Sequence, residues 1–470
     1  MANPTISTLL EKNIKFLENL FSPSSDLQIR TFHTRHGKGA LVFFESLVTK
    51  KTVSDQVLAP LLLHLPKLEM INYESLLTIH ALEKYDSWQE AIPALLNGSC
   101  LLLLQNQRSC YGLEVKGYPD RQVTEPESET VVRGPREGFV ENLLTNISLI
   151  RRRLNTVDLK VELMEIGDLA PTKVAVIYLT STTRTDLVLE VKKRLQAIKL
   201  PTVLESGYLE EFIEDNKYSV FPQIAHTERP DRVVANLLEG RVAILCDGTP
   251  FVLIIPTTFN QFWQANEDYY ERYPIASLIR TIRLASLLLS LLLPSLFVAV
   301  ISFHPEMLPT VLLLNFMQQR EGVPFPIFVQ ALIMEVSFEA LREAGVRLPR
   351  AVGQAVSIVG ALVIGEAAVK AGLVAPAMVI MVAVTGIASF AAGNYPLAIA
   401  MRLLRFPMLA LAAILGLYGI MLGVIMIVLH VTSLHSFGQP YMSPIAPLNI
   451  QGLKDFILRV PIWFNRRQKT

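Results

Sequence analysis

Hydrophobic and polar residues follow two rhythms along this chain, and the change falls near residue 283. Before it, short apolar runs of strand length alternate with polar turns and with segments of helical spacing, the pattern of a mixed α/β protein. Two stretches repeat each other: ALLNGSCLLLLQNQ around Leu95 and NLLEGRVAILCDGT around Leu237. Each reads as a helix end, a glycine, a buried strand and a turn. Gly98 and Gly240 stand where a left-handed residue closes a helix, a conformation that costs glycine no Cβ clash. A second strand follows in each copy, at 111–118 and at 251–256, the latter behind an Asp247-Gly248 hairpin signal. Upstream, ALVFFESLVTKKTVSDQVLAPLLLHL and KVAVIYLTSTTRTDLVLEVKKRLQAI both run strand, polar turn, helix. The pattern predicts two copies of one α/β lobe, 28–122 and 130–275. An amphipathic or flexible segment, 1–27, precedes them, and a polar linker, 123–129, joins them.

Beyond residue 283 charge becomes sparse, and the uncharged runs 284–303 and 406–429 are long enough to cross a bilayer, whose core needs roughly 20 apolar residues. The run 371–401 suffices for one span and a polar turn at Gly393-Asn394-Tyr395-Pro396. Two weaker segments, 325–341 and 351–370, are interrupted by Glu335, Glu339 and Glu366. The expected architecture is therefore an α/β cytoplasmic domain of two similar lobes followed by an all-α polytopic membrane domain. That domain, 276–434, holds about four spans plus embedded helices. The first residues, MANPTISTLLEKNIKFLENLF, lack the apolar core of a secretion signal, which places the lobes on the cytoplasmic side. Arg280 and Arg283 flank the first span, and a basic tail, 435–470, asks for that same side, so an even number of crossings is expected.

Composition narrows the functions. With 43 Lys+Arg against 42 Asp+Glu there is no global field to attract nucleic acid. Three cysteines without CxxC spacing make neither a disulfide framework nor a zinc module. No nucleophile elbow, HExxH or paired catalytic carboxylate motif is present, so no enzymatic activity, cofactor or metal is expected. The turn Arg133-Gly134-Pro135-Arg136 lacks phosphate-loop spacing and, with the charged loop holding Glu228 and Arg229, reads as a subunit-contact candidate. In the membrane half, Glu335 and Glu339 lie one helical turn apart, and Glu366 precedes Lys370 by four residues, the favourable order for an intrahelical pair. Val352, Val356, Val359 and Val363 form a stripe on a helix rich in small residues. Close helix packing explains such a stripe. Repeated around an oligomer axis, it would instead form an apolar gate, with Glu366 as a cation-attracting ring.

Long ordered blocks, among them DSWQEAIPALLNGSCLLLLQNQ, VVRGPREGFVENLLTNISLIRRRL, FPQIAHTERPDRVVANLLEGRVAILCDGTPFVLIIPTTF, FAAGNYPLAIAMRLLRFPML and GLKDFILRVPIWF, resemble the A subunit of GerA-type spore germination receptors. The resemblance runs from about residue 35 to 464. It implies a multi-pass subunit of a nutrient germinant receptor in the spore inner membrane, with its lobes and tail facing the spore core. Partners implied are a permease-like B subunit, a lipoprotein C subunit and further copies of the chain. It implies an oligomeric ligand-gated cation channel; the alternative is a signalling or scaffold subunit that relays germinant binding to a separate channel.

Overall fold

The computed structural model of the chain describes residues 5–34, 37–63, 81–117, 129–348, 363–391 and 393–461, with positions 77, 79, 126, 360, 463 and 464. Two compact units result, one of residues 1–217 and 224–257, the other of 218–223 and 258–470.

The first unit contains both lobes. In one, β1 (Leu27–Thr34), β2 (Gly37–Phe44), β3 (Leu82–Tyr85), β4 (Ser99–Leu104) and β5 (Cys110–Glu114) lie in the order β1-β2-β4-β5-β3. In the other, β6 (Leu159–Ile166), β7 (Thr172–Leu179), β8 (Ala225–Thr227), β9 (Val242–Cys246) and β10 (Val252–Ile255) lie in the order β6-β7-β9-β10-β8. Counted from each lobe's first strand, the two orders are identical, and each neighbouring pair is antiparallel. The duplication thus extends to the edge strands β1 and β6. Gly98 and Gly240 have φ of 91° and 83°, as helix-ending residues should.

Continuous apolar runs become strands here because both sheet faces are covered. Ala40, Val42, Phe44, Leu101 and Leu103 face α1 (Leu10–Phe21) and α2 (Trp88–Leu96) through Leu17, Phe21, Trp88 and Leu95. The alternate residues Leu41, Phe43 and Leu102 face Val53, Val57 and Leu61 of the helical stretch 50–63. Where the lobes meet, Arg151 of α3 (Leu143–Arg153) grips Asp26 in a two-pronged pair, Nε to Oδ2 at 2.5 Å and Nη2 to Oδ1 at 2.7 Å. Both are buried, and the guanidinium also lies 4.1 Å from the Phe44 ring centroid. Beside it Ser25 N–H donates to the Val161 carbonyl at 2.7 Å, and Lys160 Nζ donates to the Leu20 carbonyl at 2.9 Å.

In the second unit two helical runs among the described residues are long and apolar enough to cross a membrane: α4 (Tyr273–Phe303, 31 residues) and α7 (Tyr395–Ser433, 39 residues). Between them stand α5 (Ile327–Arg347), a described helical stretch at 363–370, and the shorter apolar α6 (Pro376–Ala391). The 406–429 run, expected to cross as one span, bends back within α7. Gly416 has φ 61° and ψ −140°, a combination open only to glycine. Beyond it the chain folds onto itself: a Cβ on Gly419 would meet the Leu411 carbonyl, and one on Gly423 the Met408 sulfur.

The arm before the bend runs parallel to α4, with Arg283 beside Gly393, Ser290 beside Arg405 and Phe303 beside Gly416. The core of this bundle joins Val298 of α4, Ile327, Ala331 and Met334 of α5, Met378 and Val382 of α6, and Leu409 of α7. After α7 the chain returns to the start of α4, where Arg459 N–H donates to Ser277 Oγ at 3.0 Å.

Candidate functional site

Opposite charges meet inside the helical bundle. Glu335 on α5, fully buried, is paired at 2.5 Å with Nη1 of Arg405 on α7, itself 2% exposed. Arg405 Nε donates at 2.8 Å to the Ser290 carbonyl, so one guanidinium ties together α4, α5 and α7. A helix can release that carbonyl because Pro294, four residues on, has no N–H to receive it. One turn along α5, Glu339 pairs with Arg342 at 2.5 Å and lies 3.9 Å from Arg402. Glu335 Oε1, Glu339 Oε1, Arg405 Nη2 and Arg402 Nη1 are buried and have no hydrogen-bond partner among the described residues.

Sequence reasoning picked out Glu335 and Glu339 but not their partners Arg402 and Arg405. A usable signal was present: opposite charges in two separate apolar runs, each too costly to bury alone, invite pairing.

Other candidates lie elsewhere. Val363 is 55% exposed, and Glu366 and Lys370, paired with each other at 2.5 Å, have side chains 59% and 75% exposed. These three share an outward face of the stretch 363–370, while Ala368 and Val369 pack into the bundle core and Gly365 lies against Val379. Val352, Val356 and Val359 lie outside the described residues.

In the soluble unit, Arg133 and Arg136 are exposed, whereas Glu228 and Arg229 are buried. Arg229 donates to the Pro135 carbonyl at 3.1 Å and to Asp231 at 2.8 Å, and the Glu228 carbonyl receives Phe139 N–H at 2.7 Å. Arg232 adds a 2.6 Å pair to Glu129, and Thr227 a hydroxyl bond to the same carboxylate. The charged residues 228–232, which lead into the helix Pro230–Leu238, thus hold down the incoming 129–139 segment.

Burial pushes the Cys110 and Cys246 thiols up to about 12, so neither is an activated nucleophile. Among the described residues no cluster of His, Cys, Asp and Glu could hold a metal ion.

A third charged group sits at the base of α4. Arg280, fully buried, donates to Asp268 at 3.1 Å and to Asp455 at 3.2 Å, while Arg283 donates to Asp268 at 3.2 Å and to the Trp263 carbonyl at 2.6 Å. Tyr269 donates to Asp455, and burial, followed by that carboxylate's charge, holds its phenol well above the ordinary value. It remains a neutral donor at physiological pH.

A duplicated α/β unit followed by a helical bundle with two membrane-length apolar helices and a buried ion pair between α5 and α7 defines the class, a membrane protein with a two-lobed N-terminal unit. The chain belongs to the GerA family of spore germination receptor A subunits. The family described as Bacillus/Clostridium GerA spore germination protein matches residues 15–470. Spore germination protein KA of Bacillus subtilis (strain 168) is 45% identical over 479 aligned positions, covering 98% of this chain and 86% of that one. The membrane protein YfkQ of the same strain is also 45% identical, over 98% of this chain and 91% of its own. A crystal structure of the N-terminal domain of the A subunit of the Bacillus megaterium spore germinant receptor GerK3 aligns with 55% of this chain and 99% of its own, at 31% identity and a TM-score of 0.44. This chain is thus a membrane receptor protein of spore germination and not an enzyme.

Proposed function

We propose that the chain is the ion-conducting subunit of a nutrient germinant receptor, assembled as a homo-oligomer in the spore inner membrane beside a permease-like B subunit and a lipoprotein C subunit. In this reading the lobes and the tail face the spore core, and the helix ending in 363–370 turns Val363, Glu366 and Lys370 toward the cation path.

One observation carries the reading: the stretch 363–370 sets Gly365 and, in part, Ala368 against the chain's own bundle and presents Val363, Glu366 and Lys370 outward. Charge facing hydrocarbon costs several kcal/mol. Copies arranged around an axis relieve that cost by turning the face toward water. A scaffold role is favoured instead by the Glu366–Lys370 pair, which neutralises the carboxylate within its own helix.

Potassium release from dormant spores carrying Val363→Ala or Glu366→Gln separates the two. Leak without nutrient, or a changed cation preference, is the expected result. Unaltered dormancy and release in both variants, with the protein present at normal level, would leave the scaffold role.

A further inference from the structure

In the segment after α7 two charged side chains, Asp455 and Arg459, turn inward, while Asn449 and Lys454 stay exposed. Asp455 accepts from Arg280, and its own carbonyl receives Arg280 Nη1 and Gln264 Nε2, both at 2.9 Å. Arg459, 7% exposed, donates through Nη1 to the Glu271 carbonyl at 3.2 Å, and its guanidinium lies 5.7 Å from the Tyr269 ring centroid. Phe456 pins the middle of the segment edge-on against Trp263, ring centroids 4.7 Å apart. The apolar side chains point the other way: Leu448, Ile450, Leu458, Trp463 and Phe464 are 62–74% exposed and Ile457 is 42% exposed.

This outer face continues the exposed apolar surface of α4. Trp463 meets Tyr273, the first residue of α4, edge to face at 6.1 Å, and next to Tyr273 the helix exposes Ile275, Leu278 and Ile282. At 1.5 Å per residue the 31 residues of α4 extend about 46 Å, while a hydrocarbon core takes about 30 Å. The exposed apolar surface of α4 does not stop at the uncharged run 284–303: Ile275, Leu278, Ile279 and Ile282 carry it on to the helix start, which sets the headgroup layer at the level of Tyr273. An apolar belt at that depth, with Trp and Tyr in it and Arg272 and Lys454 exposed beside it, matches the chemistry of the membrane interface.

We infer that residues 445–461, with Trp463 and Phe464, form an interfacial strap, lying in the headgroup layer around the base of α4 with its exposed apolar side chains in lipid and Asp455 and Arg459 as pins into the protein. Its partner is the bilayer surface. The strap is not the free basic tail that charge alone suggests. It grips the helix start that leads into the bundle, so displacement of the strap pulls on Arg280 and Asp268 together.

The test uses the full chain in bilayers whose lipids are brominated either near the headgroup or near the acyl end. The emission of Trp463 is isolated as the difference between the native protein and Trp463→Phe. Shallow bromines are expected to quench that difference at least about twofold more than deep ones, and aqueous iodide to quench it least. A spin label on Leu458→Cys gives an independent reading, since the chain's own three cysteines are buried; the label is expected to meet oxygen more often than a water-soluble nickel chelate. Dominant iodide quenching with a nickel-accessible label would make the segment a solvated tail and overturn the inference. Dominant quenching by deep bromines would put it in the hydrocarbon core, and insensitivity to every quencher would put it under a second copy or a partner subunit; each of these also overturns it.

Discussion

Replacing Glu335 by Gln tests the bundle at its most costly point. The substitution removes the counter-charge of Arg405, 2% exposed, and leaves it only neutral acceptors, the amide oxygen of the new side chain and the Ser290 carbonyl, for a charge it cannot lose. Breaking a buried ion pair by removing one partner costs about 3–5 kcal/mol. The pair itself is incompletely satisfied, with Glu335 Oε1 and Arg405 Nη2 unbonded among the described residues, so its net contribution over an apolar substitute is small. Glu335→Gln combined with Arg405→Met should therefore fall within about 1 kcal/mol of the native protein. Arg405→Met alone should cost less than Glu335→Gln, because a carboxylate left behind can take up a proton and a guanidinium cannot release one. Reversible unfolding of the full chain in mixed micelles would provide the double-mutant cycle, with an expected coupling of about 2 kcal/mol or more. Additive single effects, or a cost below about 1 kcal/mol for Glu335→Gln, would refute the claim that this contact holds α4, α5 and α7 together.

Two further expectations concern the lobes and the bend. Asp26→Asn removes the charge that Arg151 grips between the lobes and should lower local stability by about 3 kcal/mol. Hydrogen exchange should then quicken at Val161 and Leu163, whose N–H groups donate to Ser24 and Ser25, and not at β4; unchanged protection would exclude the pair as the lobe clamp. Gly416→Ala forces an L residue into a glycine-only conformation and sets its Cβ 3.0 Å from Phe303 Cβ, at a cost of about 1–3 kcal/mol for the backbone alone. The thermal midpoint of the purified chain should drop by several degrees, and a midpoint equal to the native one would speak against the hairpin.

The duplication was legible without coordinates because its carriers are local: strand-length apolar runs, and glycines whose positive φ ends a helix at Gly98 and Gly240. Scarcity of charge beyond residue 283 marked the membrane half for the same reason, since each span must satisfy its own backbone. What one-dimensional pattern could not carry is partnership between distant residues. Glu335 and Arg405 stand 70 positions apart, and only the packing of α5 against α7 makes them a pair. Gly416 looks in sequence like one more small residue in an apolar helix; its ψ, and the return of the second arm onto Met408 and Leu411, reveal a turn. In the tail, composition reports basic charge, and the fold decides that Asp455 and Arg459 face protein while Leu458 and Trp463 face outward. Direction is a property of the folded chain, because which side of a segment is inside depends on what else arrives there.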